Sequence, residues 1–286
     1  HHKHVLCEKP LALNRAEAQA MFDAAQRHGV MLLEAYPYWF QPQTGDLLAL
    51  LHGGAIGQVR QVQASFGFSL QNPAGNIRMN PQLGGGALLD AGSYPMSLIR
   101  LVMGSAPQRV TAEATWAATG VDMSLAATLH WTDGRRAQLS CAMDVATHRR
   151  ALIVGTQGVI ETEYLNHTAE PSESHPLGFQ PSQMRVRRGV AFTAPLTEVS
   201  SATGSGFRFA AEAFARMVAD LGGPRDVLAA GGSAIPIAPV QRDLLAPGDG
   251  FIAATDTRAL GLAVVALGGG RQRAADAVDP RVGFSH

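Results

Sequence analysis

The start of the chain alternates between strand-like and helix-like patterns. The stretch HVLCEKPLAL (4–13) begins as an apolar strand, a helical pattern covers 15–28, and the continuously apolar run VMLLEAY covers 30–36. Asn14 followed by Glu17 predicts a capping box at the start of the helix. A strand, a helix and a second buried strand form an α/β unit, so we predict a parallel sheet for this part of the chain.

The first residue is His1 rather than methionine, and no charged segment followed by an apolar one suggests a processed signal sequence. A buried strand that ends in an acid, a base and a proline usually lies in the middle of a domain. We therefore expect the sequence to begin partway through an α/β domain whose upstream part is not included.

The middle of the chain changes character. A short helix is predicted over 43–54 and an alternating strand over 58–70, and five short strands with turns between them follow over 109–163. Consecutive strands without helices predict an open, mainly antiparallel sheet, so the fold class is α/β plus α+β. The stretch 166–204 is rich in Pro, Ser and Thr and predicts long loops, with one strand near 184–192.

A second change follows at the end of the chain. The stretch FRFAAEAFARMVADLGG predicts an amphipathic helix that ends at two glycines, and the sequence beyond it is glycine-rich. We predict three segments: a remnant of a dinucleotide-binding domain (1–38), an α+β substrate-binding and catalytic domain (39–205), and a tail of different origin (206–286).

Composition limits the partners of the chain. Basic and acidic residues both number 23, and no basic run is interleaved with aromatics, so neither nucleic acid nor an anionic membrane is expected as a partner. The longest apolar run is too short to span a membrane. Cys7 and Cys141 lack the spacing of metal ligands, and we expect no metal and a reduced, cytoplasmic setting. Small, weakly charged ligands fit this composition best.

Chemistry-bearing residues follow three glycines in the stretch 84–104. Asp90 and Tyr94 are four apart in a predicted helix, so a carboxylate and a phenol would share one face, as proton transfer requires. Lys9 could supply the positive charge that stabilises a phenolate. The alternative is that Asp90 caps or pairs locally and Tyr94 only packs.

The Glu8-Lys9-Pro10 stretch also has two interpretations. It could be a loop in which a solvated lysine precedes a turn proline, since most lysines are exposed. It also directly follows a buried strand, which is where open α/β sheets place their ligands. The proline makes a cis peptide bond conceivable.

Several stretches in order, KHVLCEKPLALN, LLEAYPYWFQPQ, GAIGQVRQVQASF, NPQLGGGALLDAGSYPMSLIRLVMG and IVGTQGVIE, resemble the glucose-fructose oxidoreductase and inositol dehydrogenase-like (Gfo/Idh/MocA) oxidoreductases. The resemblance covers about residues 1–205. Tyrosine at position 94 is most similar to the branch with glucose-fructose oxidoreductase, NADP-dependent xylose dehydrogenase and dihydrodiol dehydrogenase.

The resemblance implies an enzyme that transfers hydride between the nicotinamide of NADP or NAD and a carbinol carbon of a sugar, polyol or dihydrodiol. It implies that Lys9 orients the substrate, Asp90 holds its hydroxyls and Tyr94 relays the proton. Glu8, Lys9 and Pro10 would lie against the cofactor. The open sheet of the intact parent would mediate a homodimer or a larger homo-oligomer.

Two features depart from the family pattern. Trp39 and Gln41 stand where arginine and histidine are often found. The glycine-rich dinucleotide fingerprint is absent, and GGGALL at 84 has neither the strand nor the spacing to replace it. The cofactor should therefore bind feebly to this chain, and the chain could be inactive.

The tail, about residues 206–286, resembles the later part of thymidine phosphorylase and other pyrimidine-nucleoside phosphorylases. Asp256, Thr257 and Arg258 are expected to serve structure, with a tight glycine turn at 268–270. Three hypotheses result: an oxidoreductase, a nucleoside phosphorylase fragment, and an inactive chimera of two truncated genes.

Overall fold

The structure is a computed structural model, and it describes residues 3–163, 182–202, 204–222 and 263. The chain divides into two compact units, His1–Leu221 and Gly222–His286. The predicted phosphorylase-like tail beyond position 222 lies outside the described residues, apart from Ala263. Within the described ranges, no helix is both long and apolar enough to cross a bilayer.

The α/β unit at the start of the chain is present. Strands β1 (Val5–Glu8) and β2 (Leu32–Ala35) pair in parallel, and helix α1 (Arg15–Arg27) connects them. The N–H of Glu17 donates to the side chain of Asn14 at 3.0 Å, as the capping pattern predicts. The helix buries none of its side chains.

A second sheet forms the centre of the first unit. Its eight strands lie in the spatial order β10-β9-β8-β7-β3-β6-β5-β4. Their bounds are Val59–Ser69 (β3), Arg109–Trp116 (β4), Asp122–His130 (β5), Arg136–Ala142 (β6), Asp144–Gly155 (β7), Gly158–Thr162 (β8), Ser182–Arg188 (β9) and Leu196–Ser201 (β10).

All neighbouring strands in this sheet are antiparallel except β3 and β6, which are parallel. Strands β6 and β7 follow each other directly in the chain but lie on opposite sides of β3. Because they run in opposite directions, one of them must be parallel to β3. The prediction of a mainly antiparallel sheet therefore describes all pairings but one.

Three further helices complete the unit: α2 (Pro42–His52), α3 (Ser93–Met103) and α4 (Gly206–Asp220). One face of the sheet is buried with α3 in a single core whose fully buried members include Val62, Leu98, Ile99, Leu129 and Ile153. The opposite face carries mostly polar side chains.

Two elements differ from the sequence expectations. The strand predicted near 184–192 is present as β9, but it pairs with a second strand, β10, that the weakly periodic sequence did not indicate. Helix α4, which the sequence grouped with the tail, lies in the first unit. This helix buries Gly206 and Ala210, and it packs against a 3-10 turn at Pro37–Phe40.

Candidate functional site

The Glu8-Lys9-Pro10 stretch lies where the parallel strands end. Because β1 and β2 run in the same direction, Lys9 and Tyr36 follow their carboxyl ends at one edge, the usual ligand position in such sheets. The Lys9–Pro10 peptide bond is cis. The Lys9 side chain is only 13% exposed, so Lys9 is not the solvated lysine of the alternative interpretation.

The ammonium group of Lys9 is held by Asp90. Its Nζ lies 2.7 Å from Oδ1 of Asp90 and 3.0 Å from the Asp90 main-chain oxygen. The other carboxylate oxygen, Oδ2, accepts a hydrogen bond from Nε of Arg78 at 2.6 Å. Burial alone would raise the pKa of Asp90, but the charges and hydrogen bonds of Lys9 and Arg78 outweigh it and hold that pKa below its usual range.

The four-residue spacing predicted that Asp90 lies in an α-helix together with Tyr94, but it does not. It belongs to a π-helical turn, Leu88–Gly92, that precedes α3. Hydrogen bonds in a π turn run from residue i to i+5, and the fifth residue after Asp90 is Pro95, which has no N–H. The carbonyl of Asp90 therefore lacks that backbone donor and accepts from Lys9 Nζ and from Ser93 Oγ at 2.9 Å instead.

The three glycines before this turn bring Arg78 to the site. The N–H of Gly85 donates to the carbonyl of Asn80 at 2.9 Å, and the N–H of Gly86 donates to the carbonyl of Arg78 at 2.9 Å. A Cβ on Gly85 would lie 2.5 Å from the Arg78 carbonyl oxygen, which no real Cβ tolerates. The glycines thus permit a close approach between two backbone segments, and they are not a phosphate-binding fingerprint.

Tyr94 is 5% exposed and lies among aromatic rings. The rings of Tyr36 and Phe66 each stand edge-on at 5.5 Å between centroids, and Lys9 Nζ lies 4.8 Å from the ring centroid of Tyr94. Burial, and then the charge of Asp90, raises the pKa of Tyr94 well above its usual range. The sequence suggestion that Lys9 stabilises a phenolate is therefore wrong for this state, because the charge of Lys9 is paired with Asp90.

Glu34, near the end of β2, supports the loop that carries Lys9. Its Oε1 accepts a hydrogen bond from the N–H of Leu11 at 2.8 Å, one residue beyond Pro10. Burial raises the pKa of Glu34, and the hydrogen bond and the charge of Lys9 only partly offset this. The side chain of Glu8 folds back onto its own loop, where Oε2 accepts from the N–H of Lys9 at 3.3 Å.

The two positions that depart from the family pattern lie on the turn after β2. Trp39 is 46% exposed, whereas Gln41 is buried at the start of α2. Tyr38, directly before Trp39 in the chain, is buried and donates its hydroxyl to Ser97 of α3 at 2.7 Å. The turn therefore contributes packing around Tyr94 through its buried tyrosine.

Sequence reasoning brought Lys9, Asp90 and Tyr94 together correctly but missed the residues that support them. Arg78 is the only lysine or arginine between positions 61 and 99, and this isolation next to the triple glycine was an available signal. Tyr36 follows a buried strand, which was a second signal. Phe66 gave none, because a core-facing aromatic in a strand is common.

A buried phenol beside an ion pair can exchange a proton with a bound hydroxyl or carbonyl group, while the cations fix the orientation of that group. Within the described residues, the Tyr94 hydroxyl makes no hydrogen bond to protein. The donor is therefore available to a small ligand, and the arrangement suits chemistry at an oxygen-bearing carbon.

Comparison with known families gives three matches. Residues 1–36 match the oxidoreductase family with an NAD-binding Rossmann fold, and residues 46–161 match the GFO/IDH/MocA C-terminal domain. Residues 251–286 match the pyrimidine nucleoside phosphorylase C-terminal domain. The stretch 206–250, which the sequence also assigned to a phosphorylase, lies outside that match.

Curated relatives include dehydrogenases. The chain is 40% identical over 160 residues to trans-1,2-dihydrobenzene-1,2-diol dehydrogenase of Danio rerio, covering 56% of this chain and 47% of the relative. It is 36% identical over 159 residues to D-xylose 1-dehydrogenase (NADP(+)) 2 of Haloferax volcanii, covering 55% of this chain and 48% of the relative. The alignments thus span about half the length of these relatives.

Solved structures agree with this placement. A 3-ketoreductase from Actinomadura kijaniata, KijD10, in complex with NADP and TDP-benzene matches with a TM-score of 0.66 and 28% identity over 78% of this chain and 65% of that one. Aldose-aldose oxidoreductase from Caulobacter crescentus, complexed with glycerol, matches with a TM-score of 0.65 and 26% identity over 78% and 64%. Residues 1–36 and 46–161 therefore match the two domains of the GFO/IDH/MocA oxidoreductases.

Proposed function

We propose that the cluster of Lys9, Asp90 and Tyr94 catalyses hydride transfer between a nicotinamide cofactor and a carbinol carbon of a sugar, polyol or dihydrodiol. The observation that carries the proposal is the position of Lys9. Its ammonium group lies 2.7 Å from Asp90 Oδ1 and 4.8 Å from the Tyr94 ring centroid, beside the carboxyl ends of two parallel strands. A proton donor and a cation thus meet where such sheets bind ligands.

Each residue has a distinct role in this proposal. Tyr94, like any tyrosine whose pKa is not lowered, is a neutral phenol at neutral pH, so in the reducing direction it donates a proton to the substrate oxygen. Lys9 orients that oxygen. Asp90 accepts hydrogen bonds from neighbouring substrate hydroxyls through the lone pairs that Lys9 and Arg78 leave unused. In the oxidising direction Tyr94 first releases its proton to solvent, and the resulting phenolate accepts the proton of the carbinol hydroxyl while the hydride leaves for the nicotinamide.

NADP or NAD supplies or accepts the hydride at its nicotinamide ring. Glu8, Lys9 and Pro10, with Tyr36, would face the nicotinamide end, because they follow β1 and β2 and lie next to Tyr94. This edge, where parallel strands end against an aromatic ring, fits a flat ring of that kind. Within the described ranges, no glycine-rich turn follows β1 to receive the pyrophosphate.

The substrate class is inferred from the relatives and from the chemistry of the site. The relatives act on a dihydrodiol and on D-xylose, as their names state, and both compounds carry vicinal hydroxyl groups. A carboxylate flanked by two cations suits such hydroxyls. The carboxylate of Asp90 accepts a hydrogen bond from one substrate hydroxyl, and the cations Lys9 and Arg78 donate to the oxygen of the next.

The full chain should be assayed with millimolar NADP or NAD and D-xylose, glucose or a trans-dihydrodiol, by following absorbance of the reduced nicotinamide. We expect turnover with at least one substrate, and a loss of about a hundredfold or more in Tyr94→Phe, which removes only the hydroxyl. Undiminished turnover in Tyr94→Phe would contradict its role as proton donor. Absence of turnover with every substrate in both directions would contradict the activity.

We also propose self-association through the open face of the large sheet. A broad depression of about 1100 Å³ crosses this face, and its lining includes Gln63, Thr128, Gln138 and Ser140. Only the other face is covered by α3. Sedimentation should show a dimer or larger oligomer that Ser140→Arg dissociates; a monomeric wild-type chain would contradict the proposal.

A second candidate function rests on the match at 251–286. That stretch would belong to a pyrimidine-nucleoside phosphorylase, which splits a nucleoside with inorganic phosphate. Incubation of the full chain with thymidine and phosphate should release thymine if this function is present. A truncated chimera of two genes, the third hypothesis from the sequence, would show neither this reaction nor the dehydrogenase reaction.

A further inference from the structure

We propose that Arg78 is a positioning residue: it fixes the carboxylate plane of Asp90, and thereby holds Lys9 against Tyr94. The inference rests on the proposed function of that cluster. Its basis is the pair of contacts on opposite oxygens of one carboxylate, with Lys9 Nζ at 2.7 Å from Oδ1 and Arg78 Nε at 2.6 Å from Oδ2.

A single ion pair would leave the Asp90 carboxylate free to turn. The terminal torsion of an aspartate is broad, so a contact to Oδ1 alone permits a range of orientations. A second donor on Oδ2 removes this freedom, because both oxygens are then fixed in one plane. Lys9 Nζ, which also donates to the main-chain oxygen of Asp90 at 3.0 Å, is thereby confined to one position over the ring of Tyr94.

Arg78 is itself held on several sides. Its N–H donates to Oδ1 of Asn76 at 3.0 Å, and its carbonyl accepts from Gly86 at 2.9 Å. The guanidinium group lies 5.9 Å from the ring centroid of Phe68, within the range of a cation–π contact. A rigid backbone and a stacked guanidinium fork are the properties of a group that orients another side chain.

Few charged groups compete for Asp90. The charged groups that lower its pKa are Lys9, which comes from the loop after β1, and Arg78, which comes from the segment before the glycines. Tyr94 faces it from α3 as a neutral phenol, and Ser93 donates only to its carbonyl. Loss of Arg78 therefore removes one of two cations from a partly buried carboxylate. The Arg78 side chain is 39% exposed, so solvent weakens its effect relative to that of Lys9.

The test is a carboxyl-carbon NMR titration of the full chain labelled with carboxyl-13C aspartate. Asp90→Asn identifies the Asp90 signal by its loss. We expect the pKa of Asp90 to rise in Arg78→Gln by about one unit or more relative to wild type. Arg78→Lys should shift it less, because charge is kept but the planar fork is lost. Arg60→Gln, which removes a surface arginine on β3, should leave it unchanged.

An unchanged titration of Asp90 in Arg78→Gln overturns the inference. If that variant does not fold, Arg78→Lys decides: a titration that coincides with that of wild type overturns the inference, and a shifted one supports it. Turnover gives the second measurement, since a positioning role predicts a lower kcat with an unchanged KM for NADP. Absence of turnover in wild type with a shifted Asp90 titration would refute the proposed function alone.

Discussion

The ammonium group of Lys9 lies 2.7 Å from Oδ1 of Asp90, although 81 positions separate the two residues in the chain. This contact joins the loop after β1 to the π turn before α3. It therefore fixes the distance between the edge of the small parallel sheet and the helix that carries Tyr94. Changes that loosen either side of this contact should alter stability, the titration of Asp90 or both.

Asp90→Asn should destabilise the protein in a pH-dependent way. In the folded wild-type protein the pKa of Asp90 lies below the unfolded value of about 3.9. The carboxylate therefore stabilises the fold above that pH, and this stabilisation is lost as pH falls through the folded-state pKa. We expect a deficit of about 2 kcal/mol at neutral pH, because Lys9 and Arg78 lose their counter-ion. Urea unfolding should show the deficit shrinking below about pH 4; a deficit that is independent of pH would contradict this.

Gly85→Ala should destabilise the site by displacing Arg78. The new Cβ would meet two backbone oxygens, those of Arg78 at 2.5 Å and Asn80 at 2.8 Å. We expect the free energy of unfolding to fall by about 2 kcal/mol. Gly45→Ala is the matched control, since that position lies in α2 with no atom within 4 Å of the new Cβ. Gly45→Ala should raise the free energy of unfolding by about 0.5–1 kcal/mol. Equal stability of the two variants in urea would refute the close-approach argument.

Pro95→Ala should disturb Lys9. The new N–H at position 95 can donate to the carbonyl oxygen of Asp90. It would then compete with Lys9 Nζ, which lies 3.0 Å from that oxygen in the wild-type protein. We expect the side-chain nitrogen resonance of Lys9 to shift. Pro42→Ala is the control, because Pro42 is the first residue of α2, where a helix needs no N–H. A Lys9 resonance that is unchanged in Pro95→Ala would show that the proline only packs.

The two thiols should differ in reactivity. Burial, and then the charge of Asp122, raises the pKa of Cys141 to about 12, and the side chain lies beneath Gly92. Burial also raises the pKa of Cys7, which is partly exposed. A disulfide-exchange reagent at mildly alkaline pH should label Cys7 slowly and Cys141 only on unfolding. Fast labelling of Cys141 in the folded protein would contradict its placement.

Local patterns were sufficient for much of this fold. The Asn14–Glu17 capping box marked the start of α1, and turn signals such as Asp133-Gly134 marked the short strands between 109 and 163. Lys9 was identified because it follows an apolar strand. These signals depend on neighbours in the chain, so they can be found in one sequence.

Long-range contacts explain what was missed. Arg78 reaches Asp90 because the backbone at Gly85 approaches the carbonyl of Arg78, a contact between two chain segments that no local pattern indicates. Strand β10 forms by pairing with β9 rather than through its own apolar pattern. Helix α4 is assigned to the first unit by packing, whereas its sequence resembled another family.

We propose above that Lys9 belongs to the catalytic site of an NAD(P)-dependent oxidoreductase. The most direct measurement compares Lys9→Met with Lys3→Met, an exposed lysine in the same segment, in the turnover assay with NADP and D-xylose or a trans-dihydrodiol. We expect Lys9→Met to lower kcat about a hundredfold or more and Lys3→Met to match wild type. Equal turnover in Lys9→Met and wild type would contradict it.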